Sequence, residues 1–407
     1  MLTRERVRNY SAIFAFGSLL ALTGSISLRL ADPGRYGVPL PDYLAHWTAG
    51  RMLLDGMGPS LYRPSAQLEI QAGLAGTQGH LAWFVSPPFV AGLYAPLAAV
   101  PYAASALAWT AISAGTLIAC IRRLGAFCAG LWESERRLVI LAVVASYPVF
   151  ELLGGGQDSA LSLAVWIAGM HLASRQRDLA AGAVFALGLI KPQLVVLVPV
   201  VFLVQRRWRA LLSFAATAAV VTLGGAALVG WHGITGWLDA IGSPLYQEQV
   251  TVGQSWKMAS LPALATALGS PLGTDLASGL GYVVAAAMGL GFALWAVRSG
   301  SGSSALLPVA LATTVAASPH LVLYDAVLFI PVVLLLLDNT DTTRRACMPA
   351  ALAFVLAWLA PALHAVAGRS DGLLGQLDAP WVAVPIALLW WRSFSLPEAA
   401  ASGGADV

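Results

Sequence analysis

The residue types that could do chemistry stand just after the first long apolar segment: an acid, a histidine and an arginine. In the stretch PLPDYLAHWTAGRMLLDG, Asp42 and His46 are four positions apart, so a helix presents both on one face. A carboxylate there can take a proton from a substrate hydroxyl, which is general-base chemistry. It can also simply cap a helix that begins at Tyr43, because aspartate is favoured at that position. Arg51 can bind a substrate or pair with Asp55 at i,i+4.

A lysine stands out further along because the chain around it is apolar. Lys191 is the lone cation in the apolar stretch 179–204, and Pro192 beside it breaks a helix near its middle. A lysine at that place either snorkels to lipid headgroups or faces a cavity and binds an anion such as phosphate. The remaining candidates for substrate contact are Gln157, Gln254, Lys257, His320 and Asp325.

Several of these side chains also have structural interpretations. His46 could orient the acid, bind phosphate or complete a metal site, and His320 could donate to phosphate or lie at the membrane interface. Asp325 suits a structural partner of the site better than a second base. Asp158, at a predicted helix start, is most simply an acid matched to the helix dipole. An isolated Asp/His pair is weak evidence for a metal, so we expect no metal ion and no cofactor.

The composition places these residues in a membrane protein. Of 407 residues, 58% are hydrophobic and 11% are charged, whereas a soluble domain carries about a quarter charged residues. The mean hydropathy is +0.74, and apolar runs of about 20 residues, long enough to cross a bilayer, recur along the chain. Soluble-enzyme classes are therefore excluded. The formal charge of +3 does not indicate nucleic-acid binding, because the basic residues fall in short loops.

Arginine positions orient the helices, since cytoplasmic loops collect basic residues. The first apolar segment, 10–30, is long for a signal peptide, so we interpret it as an uncleaved helix with a cytoplasmic N-terminus. Residues 31–83 then form a long external loop that carries two amphipathic helices, predicted over 41–55 and 64–74. Residues 231–273 form a second external loop. The aromatic residues of that second loop fit an interfacial belt or a sugar-binding cleft equally well.

We expect an all-α polytopic protein with about twelve transmembrane helices. Residues 87–101 would make a re-entrant half-crossing, and a short full hairpin is the alternative. No linker or repeat divides the chain, so residues 1–394 are predicted as one membrane domain and 395–407 as a disordered cytoplasmic tail.

In this topology the polar residues gather at the outer face. A transporter would place polar groups at the bilayer midplane and show internal repeats, and the sequence shows neither. An acid, bases and phosphate-binding groups beneath long external loops indicate an enzyme that acts on a lipid-linked substrate in the outer leaflet. A lipid or glycan transporter and a catalytically inactive envelope-assembly subunit remain as alternatives.

Five segments in order resemble glycosyltransferase family 87. PDYLAHWTAGRMLLDGMGPSLY is similar to the family's Asp-aromatic segment with its Ala-Gly and Gly-Pro-x-x-Tyr turn. FVSPPFVAGLYAPLAAVPYAASALAW resembles its Tyr-Pro-Pro segment, with Ser86 in place of the usual tyrosine. GGGQDSALSL, AAGAVFALGLIKPQLVVLVP and SPHLVLYDAVLF look like the later Gly-Gln, Lys-Pro and Tyr-Asp segments. The resemblance runs from about residue 40 to 340.

This resemblance implies a GT-C fold and a multi-pass enzyme of the bacterial cytoplasmic membrane whose active site faces the periplasm or exterior. It implies transfer of a sugar, mannose or another hexose or pentose, from a polyprenyl-phosphate donor to a lipid-linked or envelope glycan acceptor. The partners are therefore donor, acceptor and membrane lipid, with no nucleic acid. The acid of the first external loop is the family's proposed general base for an inverting displacement, and Asp42 occupies that position.

Overall fold

The computed structural model is nearly all helical. It describes residues 3–74, 76, 81–246, 254–367 and 378–396, without the side chains of 340–344. The predicted tail lies almost entirely outside these residues, and the predicted loop 231–273 is described only in part. The helices long and apolar enough to cross a bilayer are α1 (Arg4–Ala31), α6 (Tyr102–Leu124), α12 (Trp208–Ile241), α15 (Thr274–Ser299) and α18 (Thr340–Ala367).

Two more helices, α7 (Ala129–Val144) and α8 (Tyr147–Gly155), together match one span with a bend of 48°. The described part of the chain therefore contains five candidate spans, or six with this pair, and the expected number of about twelve crossings is not confirmed. The shorter helices are α2 (Pro33–Tyr36), α3 (Tyr43–Leu54), α4 (Pro64–Ala72), α5 (Pro88–Ala98), α9 (Ser159–Ser174), α10 (Asp178–Leu187), α11 (Val198–Val204), α13 (Pro244–Tyr246), α14 (Leu261–Gly269), α16 (Leu306–Ala317), α17 (Ile330–Asp338) and α19 (Ala383–Ser393).

The predicted first external loop folds into the core. Helices α3 and α4 lie where two amphipathic helices were expected, but α3 does not rest on a surface, because every residue from Tyr43 to Gly50 is buried. The Tyr43 ring stacks on Trp109 of α6 with centroids 5.6 Å apart. Its hydroxyl and the Ser105 hydroxyl share a hydrogen bond of 2.6 Å. The amphipathic prediction for α3 is wrong over its first two turns, because α5 and α6 pack against the helix there.

Helix α5 is too short to cross a bilayer. Its eleven residues span about 16 Å at 1.5 Å per residue, roughly half of the 30 Å hydrocarbon core. It packs against α3 and α12. This length agrees with the predicted half-crossing better than with a full hairpin.

The break at Pro192 is where the sequence predicted it. Helix α10 ends at Leu187, two short 3₁₀ turns follow, and Lys191 lies between them. Lys191 has φ −132° and ψ 84°, outside the helical region, as expected for a residue that precedes proline. The break turns the Lys191 side chain away from the regular helix surface and into the interior.

Candidate active site

Asp42 is fixed at the start of α3 through its neighbours' backbone. The Tyr102 hydroxyl donates to the carbonyls of Pro39 and Leu40 at 2.7 and 2.8 Å. The Asp42 N–H donates to the Gly155 carbonyl at 3.0 Å, which ties the segment to the end of α8. These bonds hold Leu40 at a φ of 50°, a conformation that leucine rarely adopts. Backbone hydrogen bonds alone therefore fix the position of Asp42, independently of its side-chain contacts.

The Asp42 carboxylate faces the turn between α8 and α9. The Gln157 amide donates to Asp42 Oδ2 at 2.8 Å. Asp42 makes no side-chain bond to the first turn of α3, and its ψ of −27° is helical, whereas a capping residue is usually extended. Asp42 also makes none of the ion pairs found in the described chain. The helix-cap interpretation is therefore not supported. The Asp42 carboxylate can still accept a proton or a hydrogen bond from a substrate.

The α8–α9 turn needs glycine at two positions. Gly156 has a φ of +78° and ends α8 in the left-handed region. Its carbonyl accepts a hydrogen bond of 2.8 Å from the Trp109 indole. A Cβ at Gly155 would lie 2.6 Å from Asp42 Oδ2, closer than real atoms approach. The glycines therefore make the space in which the Asp42 carboxylate lies.

Lys191 is the centre of a buried ion cluster. Its Nζ lies 2.9 Å from Asp158 Oδ1, 2.7 Å from Asp325 Oδ1 and 3.2 Å from Ser159 Oγ. The lysine side chain is 14% exposed, and the two aspartates are 1% and 3% exposed. Lys191 donates hydrogen bonds to Asp325 and Ser159, and Asp158 Oδ1 is an ion-pair contact without a hydrogen bond. A phosphate near Lys191 would therefore share the ammonium group with these three oxygens.

His46 connects this cluster to α3. Its Nε2 lies 3.7 Å from Asp158 Oδ2, and its ring centroid lies 4.6 Å from that of Tyr94. Both ring nitrogens are buried without a hydrogen-bond partner in the described chain. Burial lowers the pKa of His46, and the Asp158 carboxylate offsets only part of that shift. His46 is therefore neutral at pH 7.

His320 is also neutral at pH 7. Burial lowers the pKa of His320 to about 4, and the positive charge of Lys191 adds to the shift. Its Nδ1 has no hydrogen-bond partner among the residues that the structure describes. A neutral imidazole still offers one N–H donor. The segment after it is held by the Ala259 N–H, which donates to the Leu321 carbonyl at 2.8 Å.

The described end of the second loop brings another cation to the site. Lys257 Nζ lies 3.8 Å from Glu151 Oε1, and the lysine side chain is 29% exposed. Glu151 is one turn before Gly155 in α8. Gln254 immediately precedes the 3₁₀ turn that contains Lys257. Lys257 is therefore more accessible and less tightly paired than Lys191.

The structure does not bring Arg51 to this cluster. Its guanidinium donates to both carboxylate oxygens of Asp55 at 2.9 and 2.8 Å, which confirms the predicted i,i+4 pair. Arg51 lies about 13 Å along α3 from Asp42, at nine residues of 1.5 Å each. Its side chain is 42% exposed.

Sequence reasoning did not select three polar residues of the site: Asp158 and Ser159 in the Lys191 cluster, and Glu151 beside Lys257. Asp158 was assigned to the helix dipole, but its carboxylate pairs with Lys191. Ser159 donates to Asp325, and Glu151 faces Lys257. A signal for Asp158 was present, because a lysine inside an apolar segment needs a counter-ion. Nothing in the sequence distinguished Ser159 or Glu151 from other polar residues near helix ends.

Comparison with protein families decides what this membrane protein is. The sequence profile of glycosyltransferase family 87 matches residues 84–319, which is more than half of the 407 residues. The chain belongs to glycosyltransferase family 87. No curated protein and no solved structure matches it. The family 87 match includes Gln157 and Lys191, whereas Asp42 precedes it and Asp325 follows it. Membership therefore establishes a membrane glycosyltransferase and leaves the role of Asp42 to its geometry.

Proposed function

We propose that this family 87 enzyme transfers a sugar, mannose or another hexose or pentose, from a polyprenyl-phosphate donor to a hydroxyl of a lipid-linked or envelope glycan acceptor. The observation that supports this best is the Asp42 carboxylate, which Gln157 holds at 2.8 Å without a neutralising cation in the described chain. Asp158 and Asp325 each contact the Lys191 ammonium, so an acceptor hydroxyl would have to compete with a bound cation for their oxygens. We therefore assign Asp42 as the general base.

In the proposed reaction the acceptor oxygen attacks C1 of the donor sugar from the face opposite the phosphate. The new bond between C1 and the acceptor oxygen forms as the bond between C1 and the phosphate oxygen breaks. A single displacement inverts the configuration at C1. The hydroxyl proton passes to Asp42, and polyprenyl phosphate leaves with the electron pair. A positioned base of this kind typically contributes about 10²–10⁴-fold in rate.

We assign phosphate binding to Lys257 and Lys191, which differ in how tightly they are already paired. Lys257 has only a 3.8 Å contact with Glu151, so phosphate can replace that carboxylate at small cost. Lys191 already contacts three oxygens, and the leaving phosphate would share its ammonium group with them as negative charge develops. Neutral His320 would add one N–H donor.

The other polar residues would shape the site around the two substrates. Gln157 keeps its amide nitrogen on Asp42, and its side-chain carbonyl would accept from a sugar hydroxyl. His46 and Asp325 act through the buried cluster by holding Asp158 and Lys191. The Gln254 amide would bind sugar hydroxyls beside Lys257. Arg51 is left out, because Asp55 binds its guanidinium, and the proposal uses no metal ion or cofactor.

We place the site at the outer face of the bacterial cytoplasmic membrane. Arginines occupy the last turns of α6, α15 and α19, and arginine-rich ends face the cytoplasm by the positive-inside bias. Three more arginines lie at the start of α1, whereas Asp42 follows its end. This distribution supports an external site.

A reconstituted transfer assay tests the proposal. The purified protein is given radiolabelled sugars on polyprenyl phosphate, covering hexoses and pentoses, and in parallel the nucleotide-activated forms of the same sugars. We expect transfer to a glycolipid acceptor from one polyprenyl-phosphate donor only, with inverted configuration at C1. Transfer from a nucleotide sugar would contradict the donor class. Movement of intact donor across proteoliposomes without transfer would favour the transporter alternative.

A further inference from the structure

Two aromatic rings stack beside the turn that carries Lys257. The Trp256 indole and the His364 imidazole have ring centroids 4.5 Å apart and planes 9° apart. Trp256 belongs to the 3₁₀ turn Ser255–Lys257, and His364 lies in the last turn of α18. Aromatic rings at such separations attract each other beyond the area that they bury. The stack therefore ties the turn to a long helix.

The imidazole of this stack is held in one orientation. Its Nδ1–H donates to Asp378 Oδ1 at 2.6 Å, and Asp378 belongs to the segment that leads into α19. A hydrogen bond to an ionised acceptor is stronger than one between neutral groups. Asp378 therefore keeps the face of the His364 ring against the indole.

The Lys257 ammonium lies at the other end of these contacts. Its Nζ is 5.3 Å from the centroid of the Trp256 ring and 3.8 Å from Glu151 Oε1. A lysine carries its charge on a flexible four-carbon stem. The position of the ammonium therefore depends on the turn that carries it.

Helix α18 is anchored to the same helix as Glu151. The Trp358 indole of α18 donates at 3.1 Å to the carbonyl of Ala145, between α7 and α8. The Trp358 ring also meets the Tyr147 ring of α8 edge to face, with centroids 5.1 Å apart. Glu151 is one turn beyond Tyr147. The contacts from α8 through the Lys257 turn and the stacked rings therefore return to α8.

We infer that His364 is a positioning residue for the donor phosphate. It acts through Trp256, which holds the turn with the Lys257 ammonium beside Glu151. The inference rests on the proposed phosphate-binding role of Lys257. When phosphate replaces the Glu151 contact, the stack keeps the turn in place, so the donor meets a cation that is already positioned. Positioning a binding group in advance lowers the entropy lost on binding.

Donor kinetics of His364 variants test this role. His364→Ala should raise the donor KM by about two- to ten-fold, the contribution of one aromatic pair. It should leave kcat unchanged, because a binding contact shared by ground state and transition state affects KM alone. His364→Phe keeps an aromatic face toward Trp256 and should restore the donor KM to near the wild-type value. His232→Ala, which changes an exposed histidine of α12, is the control and should match the wild type.

The Lys257→Met background separates positioning from direct contact. Lys257→Met alone should raise the donor KM by about ten-fold. Adding His364→Ala to it should raise the KM no further, because two changes that act through one group are not additive. A further rise would overturn the inference, since the stacked rings would then contact the donor themselves. So would a His364→Phe variant that is no better than His364→Ala.

Hydrogen exchange without donor tests the positioning independently of the proposed function. The Lys257 N–H donates to the Gln254 carbonyl at 2.9 Å, and the Met258 N–H donates to the Ser255 carbonyl at 3.1 Å. His364→Ala should speed exchange at these two amides, because local opening of the turn becomes easier. Unchanged exchange would overturn the inference. Faster exchange together with a wild-type donor KM in Lys257→Met would instead refute the phosphate contact of the proposed function.

Discussion

Replacing Lys191 by methionine tests the buried ion cluster directly. The substitution keeps the length of the side chain but removes an ammonium that lies 2.9 and 2.7 Å from two carboxylates. Those carboxylates are 1% and 3% exposed, so water cannot replace the lost partner. Removing one member of a buried pair typically costs about 3–5 kcal/mol. At about 2 °C per kcal/mol for a large domain, the melting temperature should fall by about 6–10 °C.

The control is the same substitution at the other lysine of the site. Lys257 is 29% exposed and 3.8 Å from its acid, so Lys257→Met should change stability by no more than about 1 kcal/mol. Both variants are melted in the same detergent by scanning fluorimetry. A third variant, Lys191→Met with Asp158→Asn and Asp325→Asn, removes the stranded charges and should recover much of the loss.

The triple variant also isolates the proposed phosphate contact from stability. A hydrogen bond between a charged group and phosphate contributes about 1.5–3 kcal/mol, so donor binding should stay about ten- to a hundred-fold weaker than in the wild type. If Lys191→Met melts within 2 °C of the wild type, a value well below the expected drop, the cluster does not stabilise the fold as described. If the triple variant binds donor normally, Lys191 does not contact phosphate.

Two further predictions concern the Asp42 turn and the membrane topology. Gly155→Ala should push the Asp42 carboxylate aside, because the new Cβ would lie 2.6 Å from Oδ2, and a displacement of that kind can cost about 10²-fold in turnover. Gly154→Ala is the control and should keep wild-type turnover; equal losses in the two variants would refute the steric explanation. In a cysteine-free background, single cysteines at Glu69 and Gln176 should be labelled from opposite sides of the membrane by an impermeant maleimide. Labelling of both from one side would contradict the external position of residues 31–83.

Local sequence rules predicted the local features well. The proline break beside Lys191, the pair of Arg51 with Asp55 and the positions of α3 and α4 all follow from spacing within one or two turns. Each depends on neighbours in the chain, so a single sequence contains the necessary information. The family was likewise identified from short segments in order.

Features that depend on distant parts of the chain were not predictable in the same way. Asp325 reaches Lys191 across 134 positions, and Asp42 meets Gln157 across 115. The rule that aspartate caps helices failed at Asp42 because its carboxylate accepts from the Gln157 amide instead of from the first turn of α3. The expected number of about twelve crossings stays unconfirmed, since helices such as α9 and α16 are apolar but have only sixteen and twelve residues.

The central claim is that Asp42 removes the acceptor proton, and the Asp42→Asn variant tests it most directly. Asparagine keeps the shape and still accepts the Gln157 hydrogen bond, but it cannot take a proton. Sugar transfer from a polyprenyl-phosphate donor is measured beside the melting temperature and donor affinity, with Asp55→Asn, an exposed acid paired with Arg51, as the control. We predict that Asp42→Asn transfers about 10²–10⁴-fold more slowly with unchanged melting and donor binding, while Asp55→Asn matches the wild type. An Asp42→Asn enzyme that melts normally and transfers sugar at the wild-type rate would contradict the account.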